Sequence, residues 1–472
     1  MDELGTFWLP NDPTDHLSGR LQYSPTGKID LSLVGKFQNT NTETRDHNRI
    51  VGLAGKSQIT LEDCFSRGVQ HNSPGIVESR FRANRMFIGH TFGEDDELAF
   101  QTVRIQLSHL DEWVERHGIE LEEPSDTGDH SWLFSFKYVQ PEEESEEFSR
   151  GKISLGQFWS RRSDSKGASI CQLPFLRIDY DDLVAFSDIL RDVGRVQDIV
   201  TLCIDSPVDI DQIILTRPDI ESRTLSGRAT GSPQHIEFRA PRLRYEPVDQ
   251  RRVITYGAML LNSDEVGRVS GLAKWIDEVE NFERPLNSLM STRHTDKIYA
   301  ENRYLNIAFA AEAFHRNTQG GSYMDREEFD ELLASYMEIT PEARKEWLKG
   351  RLGYGNDAPL PKRLRELARQ ARPATRKLIT DERRWVNTIS RVRNELTHLG
   401  RGKSPFTGSD LYYLSESIFS VVRVEMLSKC GVSTETWARK SESTAMTWHA
   451  KRVQQAIDST RDRLGISRAS NT

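Results

Sequence analysis

Hydrophobic and polar residues alternate with a period of two along most of the first half of the chain. In GRLQYSPTGKIDLSLVGKF, residues 19–37, two alternating runs flank the turn-forming residues 24–27. Because successive strand side chains point to opposite faces, this pattern predicts a β-hairpin. Similar runs recur as far as HIEFRAPRL, interrupted by the helical segment DYDDLVAFSDILRDVGRVQDIVTLC and by PEEESEEFSRG, which we interpret as an acidic surface loop. Residues 1–255 are therefore predicted to form a strand-rich domain, either a sandwich or a barrel.

The second half of the chain follows the helical period instead. Segments such as AENRYLNIAFAAEAFHR, LPKRLRELARQ and SDLYYLSESIFSVVRVEMLSKC place apolar residues three and four positions apart, and Gly, Pro or Asn separates them. Residues 265–472 are predicted to form an all-α domain, with the change of domain after the proline-bearing APRLRYEP. The predicted fold class is a multidomain α+β protein.

The composition excludes several classes of protein. No apolar run approaches the roughly 20 residues that a membrane span needs, and MDELGTFWLP lacks the features of a secretory signal. We therefore expect a cytoplasmic protein without a membrane partner. No C-x-x-C pair or histidine at metal-ligand spacing accompanies the four cysteines, so neither a metal nor a cofactor is expected. The cysteines are Cys64, Cys171, Cys203 and Cys430.

Charge is distributed unevenly along the chain. The formal net charge is -8, but residues 1–290 carry -16 and residues 291–472 carry +8. Within residues 341–403 there are 17 basic and 7 acidic side chains, including KRLRELARQARPATRK. This bias is typical of a surface that meets phosphates, although a solvated helix face gives the same pattern.

The segment RVRNELTHLG, residues 391–400, places three polar side chains on a strongly amphipathic helix. At about 100° per residue, the apolar side chains of this helix fall within about 40° of one line. Arg393, Asn394 and His398 all point away from that line, and Gly400 is a plausible C-cap. The apolar stripe consists of Trp385, Ile389, Val392, Leu396 and Leu399.

Arginine and histidine with four to six residues between them form a weak pattern by themselves. It also occurs at Arg85/His90, Arg104/His109 and Arg228/His235, all in the strand-rich half. Those three pairs are excluded when the pattern must also have Asn directly after the Arg and lie on a long helix of an all-α domain. The helical context therefore makes the match at residues 393–398 more specific than the spacing alone.

RNELTH resembles the R-x4-6-H motif of HEPN domains, helical bundles that include metal-independent ribonucleases acting as dimers. YLNIAFAAEAFHR is similar to the early HEPN helix of ApeA-type phage-defence proteins, and GTFWLP, the hairpin and ITLEDCF followed by LSHLDEW are similar to their N-terminal domain. The resemblance implies a HEPN core at about residues 300–430 and a strand-rich sensor or regulatory domain. It further implies an abortive-infection effector that a phage-derived trigger activates, and an RNA substrate such as tRNA. A homodimer or higher homo-oligomer is expected.

The residue types suit RNA cleavage. His398 fits the general acid-base role, because an imidazole titrates near pH 6.5. Arg393 fits the stabilisation of phosphate charge, and Asn394 could donate to a phosphate oxygen or orient His398. Arg393 and His398 lie about 140° apart on one helix, which favours a dimer that pairs two such helices across a cleft.

Further candidates support these three residues. Arg391 shares the face of His398, and Arg401 and Lys403 continue the basic segment, so all three are candidates for RNA contacts. Glu312 is a candidate partner of Arg393 or an ordinary surface carboxylate. His315 is a supporting candidate with a structural role as its alternative.

The sequence is compatible with two other functions. The helical domain could bind RNA or a protein partner without cleaving it. The strand-rich domain could be the active part, a β-sandwich that senses a ligand, with the helices serving assembly.

Overall fold

The computed structural model divides the chain into two compact units. The first contains Met1–Thr201, Pro207–Thr255 and Arg268–Ala273, and the second contains Leu202–Ser206, Tyr256–Gly267 and Lys274–Thr472. The structure describes residues 1–24, 27–38, 46–71, 75, 77–122, 125–126, 132–133, 135–224, 227–241, 253–295, 297–397 and 404–466.

The first unit is rich in strands, as the period of two predicts. The strands are β1 Asp2–Leu9, β2 Asp12–Tyr23, β3 Ile29–Val34, β4 His47–Ala54, β5 Ser57–His71, β6 Val77–Ile88, β7 Ala99–Leu107, β8 Ile119–Leu121, β9 Ser125–Asp126, β10 Trp132–Leu133, β11 Phe136–Tyr138, β12 Glu144–Phe148, β13 Gly151–Asp164, β14 Gly167–Ala185, β15 Ile210–Thr216, β16 Glu221–Arg223, β17 Ala229–Pro233 and β18 Ile236–Arg239.

Six of these strands close into an antiparallel barrel. Each pairs with the next in the order β1, β2, β3, β6, β5 and β4, and β4 returns to β1. Alternate residues point inward, as in β3, where Ile29, Leu31 and Leu33 are buried. The predicted hairpin is confirmed as β2 and β3, and the fold class is confirmed with a barrel rather than a sandwich. The remaining strands of the sheet continue from β6 in the order β18, β15, β7, β14, β13 and β12.

The prediction of an acidic surface loop at residues 141–151 is wrong for β12, which pairs antiparallel with β13. Only Phe148 of this strand is buried, and its charged side chains are exposed or partly exposed. Glu144, for example, forms ion pairs with Arg116 and Arg268. An edge strand tolerates such charges because one of its sides has no neighbouring strand. The pattern also places the helical segment too early, since β14 continues to Ala185.

The second unit is helical, which agrees with the period of its apolar residues. The helices of the chain are α1 Leu110–Val114, α2 Phe186–Ile204, α3 Ser263–Val266, α4 Arg268–Glu278, α5 Glu283–Ser291, α6 Ala300–Gln319, α7 Arg326–Ile339, α8 Glu342–Leu352, α9 Leu360–Gln370, α10 Arg372–Thr375, α11 Glu382–Thr397, α12 Gly408–Ser428, α13 Thr434–Lys440, α14 Thr444–Thr447 and α15 Ala450–Arg463. Within the described ranges, none of them is long and apolar enough to cross a membrane.

The helical unit is built around α6 and α12, which pack against each other. Helix α12 is buried on most sides, and α6 also packs on α5, α9 and α11. A buried cluster of charged groups joins the two helices: Glu416 of α12 accepts two hydrogen bonds from Arg293, at 2.7 and 3.0 Å, and one from Arg303 of α6 at 3.0 Å. The paired guanidinium groups offset the cost of burying the carboxylate, so this cluster fixes α6 against α12.

Candidate functional site

Helix α11 presents the Arg-Asn pair that the sequence singles out. Its first turn is capped by Asp381, whose carboxylate accepts a hydrogen bond of 2.9 Å from the backbone N–H of Arg384. The described part of the predicted apolar stripe is buried, and Val392 and Leu396 bracket the Arg-Asn pair. The helix therefore turns its polar side out of the core, as its periodicity predicts.

Two hydrogen bonds fix the rotation of α11 about its axis. The indole N–H of Trp385 donates to Ser417 Oγ on α12 at 2.8 Å, and the hydroxyl of Tyr304 on α6 donates to the carbonyl of Ile389 at 2.7 Å. All these partners lie in the core. Because the hydrogen bonds satisfy groups that burial would otherwise leave without water, they favour a single orientation of the helix. Trp385, a residue of the predicted apolar stripe, is a core residue.

Arg393 is held by a carboxylate of a neighbouring helix. Its Nη2 lies 3.2 and 3.3 Å from the two carboxylate oxygens of Glu312 on α6, and its Nη1 donates to Asn394 Oδ1 at 3.4 Å. The guanidinium carbon stands 5.5 Å from the ring centroid of Phe309, which adds a cation–π contact. The side chains of Arg393 and Glu312 are 28% and 19% exposed. The pair is therefore partly shielded from water while the guanidinium still reaches the surface.

Asn394 and Arg391 occupy the open side of α11. Both are exposed, and Arg391 forms no ion pair with any described residue. Thr397 ends the helix, and its hydroxyl donates to the carbonyls of Arg393 and Asn394 at 3.0 Å. Three predicted site residues, His398, Arg401 and Lys403, lie outside the described residues, as do Leu399 and Gly400 of the predicted stripe and cap.

His315 lies one turn beyond Glu312 on α6 and is buried. Its Nε2 is 2.6 Å from Glu366 Oε2 on α9, whereas its Nδ1 has no hydrogen-bond partner among the described residues. Burial lowers the pKa of His315, and the hydrogen bond to Glu366 opposes this shift only in part. These observations indicate a neutral imidazole that donates from Nε2. In this position His315 connects α6 to α9.

Three contributors to this site carry no signal in the sequence pattern. Glu366 is 51 residues from His315, and Tyr304 is 85 residues from Ile389. Phe309 appears in the pattern only as an apolar residue of α6. Their roles follow from the packing of α6 against α9 and α11. No group of three or more His, Cys, Asp or Glu side chains in the described part of the chain is arranged to hold a metal ion.

Comparison with protein families identifies the helical unit, which presents Arg393 and Asn394 at the surface of α11, as a HEPN domain. A family model described as Apea-like HEPN matches residues 305–436, and one described as ApeA N-terminal domain 1 matches residues 2–275. The second match covers more than half of the chain, and the chain belongs to the ApeA family. No curated protein and no solved structure matches it.

The two matched domains together form the architecture of an ApeA-like defence protein. HEPN domains are generally ribonucleases, and they commonly dimerise and act on RNA. The matched HEPN region contains both residues of the Glu312–Arg393 pair. The resemblance seen in the sequence is therefore confirmed at the level of the family and its two domains.

Proposed function

We propose that this protein is a metal-independent RNA endonuclease that acts as an abortive-infection effector. The observation that carries the proposal is the placement of Arg393, half-buried against Glu312 and beside the exposed Asn394, at the end of α11 that leads to His398. A charged guanidinium at the surface and an imidazole four residues after an amide supply the groups that phosphodiester cleavage needs.

In the proposed reaction the 2'-hydroxyl of the RNA is the nucleophile. It loses its proton to a base and attacks the adjacent phosphorus, the bond from phosphorus to the 5'-oxygen breaks, and an acid protonates that leaving oxygen. The products are a 2',3'-cyclic phosphate and a 5'-hydroxyl end. His398 is the proposed proton-transfer group, and Arg393 is proposed to stabilise the charge on the phosphorane.

Two further roles complete the proposal. Glu312 acts as a positioning residue, because its carboxylate fixes the guanidinium of Arg393 through two contacts. Asn394 lies within 3.4 Å of that guanidinium and, being exposed, can also donate to a phosphate oxygen or orient His398. Arg391, Arg401 and Lys403 are proposed to contact RNA phosphates.

The proposal includes a homodimer or a larger even-numbered oligomer. Arg393 and His398 diverge by about 140° on a straight helix, so one chain would bring them to the same phosphate only with long side-chain reach. A second chain facing the first across the α11 helices supplies the missing direction. The barrel unit is proposed to detect a phage-derived trigger, with tRNA or another cellular RNA as the substrate.

The test is RNA cleavage by the purified protein in the presence of EDTA. Wild type should produce 2',3'-cyclic phosphate ends, and H398A or R393A should lose about 10²- to 10⁴-fold in rate, the usual effect of removing an acid-base group. H235A, from the strand-rich unit, is the matched control and should cleave like wild type. RNA retention without cleavage would favour a binding module instead. Full activity of H398A would exclude His398 from the chemistry.

A further inference from the structure

The hairpin of helices α7 and α8 exposes an unusual number of large apolar side chains. The structure describes no fully buried residue in either helix. Trp347 is 63% exposed and Tyr354, just after α8, is 80% exposed. Because contiguous large apolar side chains in contact with water often mark a binding surface, this hairpin is a candidate interaction surface.

The sides of α7 and α8 that face each other are not available to a partner. Helices α7 and α8 contact each other, and Phe329 and Leu333 of α7 and Leu348 of α8 are half-buried. We define the sides of the two helices that carry these residues as the seam. A side chain placed at Gly355 would come within 3.3 Å of the Phe329 ring, which locates that ring against the segment just after α8. Trp347 lies about 100° around α8 from Leu348, so it points away from the seam.

Two arginines share the face of Trp347 on α8. Arg344, Trp347 and Arg351 follow the spacing i, i+3 and i+7, which aligns them within about 60° on one side of the helix. All three are exposed, and neither arginine forms an ion pair within the described part of the chain. We define this Arg-Trp-Arg stripe as residues 344, 347 and 351. At about 1.5 Å of rise per residue it is roughly 10 Å long.

The charges of the hairpin decide what this stripe binds. Helix α8 carries four basic and two acidic residues, whereas the acidic side chains Glu327, Glu331 and Glu338 of α7 lie opposite the seam of that helix. An indole between two unpaired guanidinium groups complements a base between two phosphates. Stacking of this kind requires a base that is not already stacked in a duplex.

We infer that the α7–α8 hairpin binds single-stranded RNA, with Trp347 stacking on an unpaired base and Arg344 and Arg351 contacting the phosphates on either side. This inference rests on the proposed ribonuclease function, because it extends the RNA contact beyond α11. The chain connectivity supports it: the hairpin lies between α6, which carries Glu312, and α9, which carries Glu366, within the matched HEPN region.

Binding is measured separately from cleavage, so that the two proposals can fail independently. The probe is a short, fluorescein-labelled single-stranded RNA whose riboses are all 2'-O-methylated, which removes the nucleophile. Fluorescence anisotropy with the full chain should show W347A binding about 5- to 100-fold more weakly than wild type, and W347F should keep most of the affinity. W448A is the matched control, because Trp448 is 74% exposed elsewhere in the helical unit.

The arginines have their own measurement. In R344A/R351A, the slope of log affinity against log salt concentration should become shallower by about 1.4, as expected for two phosphate contacts on a single strand. R452A, at an exposed position on α15, should leave the slope within about half of one phosphate contact. The same sequence as a duplex should bind W347A and wild type equally.

Two outcomes would overturn the inference. The first is single-strand binding by W347A equal to that of W448A. The second is a W347A variant that binds RNA normally but loses an oligomer in light scattering, which would assign the stripe to a second copy of the chain. If W347A weakens binding in a protein that cleaves no RNA, the hairpin proposal stands and the ribonuclease proposal fails. If cleavage depends on His398 but W347A changes nothing, the reverse holds.

Discussion

The contact between Glu312 and Arg393 can be measured with a double-mutant cycle of E312A, R393A and the double variant. Exposed ion pairs contribute about 0.2–1 kcal/mol, and breaking a fully buried pair costs about 3–5 kcal/mol. With side chains 19% and 28% exposed and two contacts of 3.2 and 3.3 Å, this pair falls between those limits. We expect a coupling energy of about 1–2 kcal/mol.

The stability losses of the two single variants should add up to more than the loss of the double variant, because either single change already breaks the ion pair. R393A leaves the Glu312 carboxylate without its cation and removes the packing of the guanidinium on Phe309, so we expect a loss of about 1–2 kcal/mol. The helical wheel alone, which places Arg393 off the core stripe, predicts a loss within roughly 1 kcal/mol. The structure raises this value because the side chain has a partner on α6.

Urea unfolding followed by circular dichroism gives the required free energies, provided that the slope of free energy against urea is unchanged among variants. A coupling energy below about 0.3–0.5 kcal/mol, the level of simple additivity, would refute the argument. R393K is the functional companion. It retains the charge but loses the fork geometry, so its stability should stay near that of wild type while RNA cleavage falls.

Three further measurements test other parts of the molecule. Burial raises the pKa of Glu425 to about 7. The contribution of this carboxyl group to stability is therefore complete below pH 4.5 and is lost as the pH rises through about 7. In thermal melts at pH 8, E425Q should be more stable than wild type by roughly 3 kcal/mol. His315 shows the opposite sign: its lowered pKa makes the folded state lose stability as the pH falls below 6.5, and H315Q should reduce that loss. Light scattering should show a dimer or larger even-numbered oligomer at micromolar concentration, and a strict monomer that cleaves RNA would contradict the paired-helix arrangement.

Periodicity determined the local structure of both units. The alternation around residues 24–27 predicts the hairpin of β2 and β3, because a strand with one buried face must alternate. The helical period predicts α11 and the side on which Arg393 and Asn394 emerge. These are properties of a few consecutive residues, and the wheel needs only the rise and twist of a helix.

Pairing between distant segments was decided by the tertiary structure. Alternation shows which face of a strand is buried but not which strands are neighbours. The sequence pattern therefore fitted a sandwich and a barrel equally, and the pairing of β6 with both β5 and β3 decided for the barrel. The strand β12 was missed for a related reason: its charges resemble those of a loop, and only its hydrogen bonds to β13 define it.

The candidate site divides in the same way. The sequence determined that an arginine, an asparagine and a histidine follow one another near the end of an amphipathic helix. Only the packing of α6 against α11 places the carboxylate of Glu312 on the guanidinium of Arg393, 81 residues away. Spacing within a helix follows from covalent geometry, whereas contacts between helices follow from how their buried faces fit together, and that fit depends on all the side chains of the core at once.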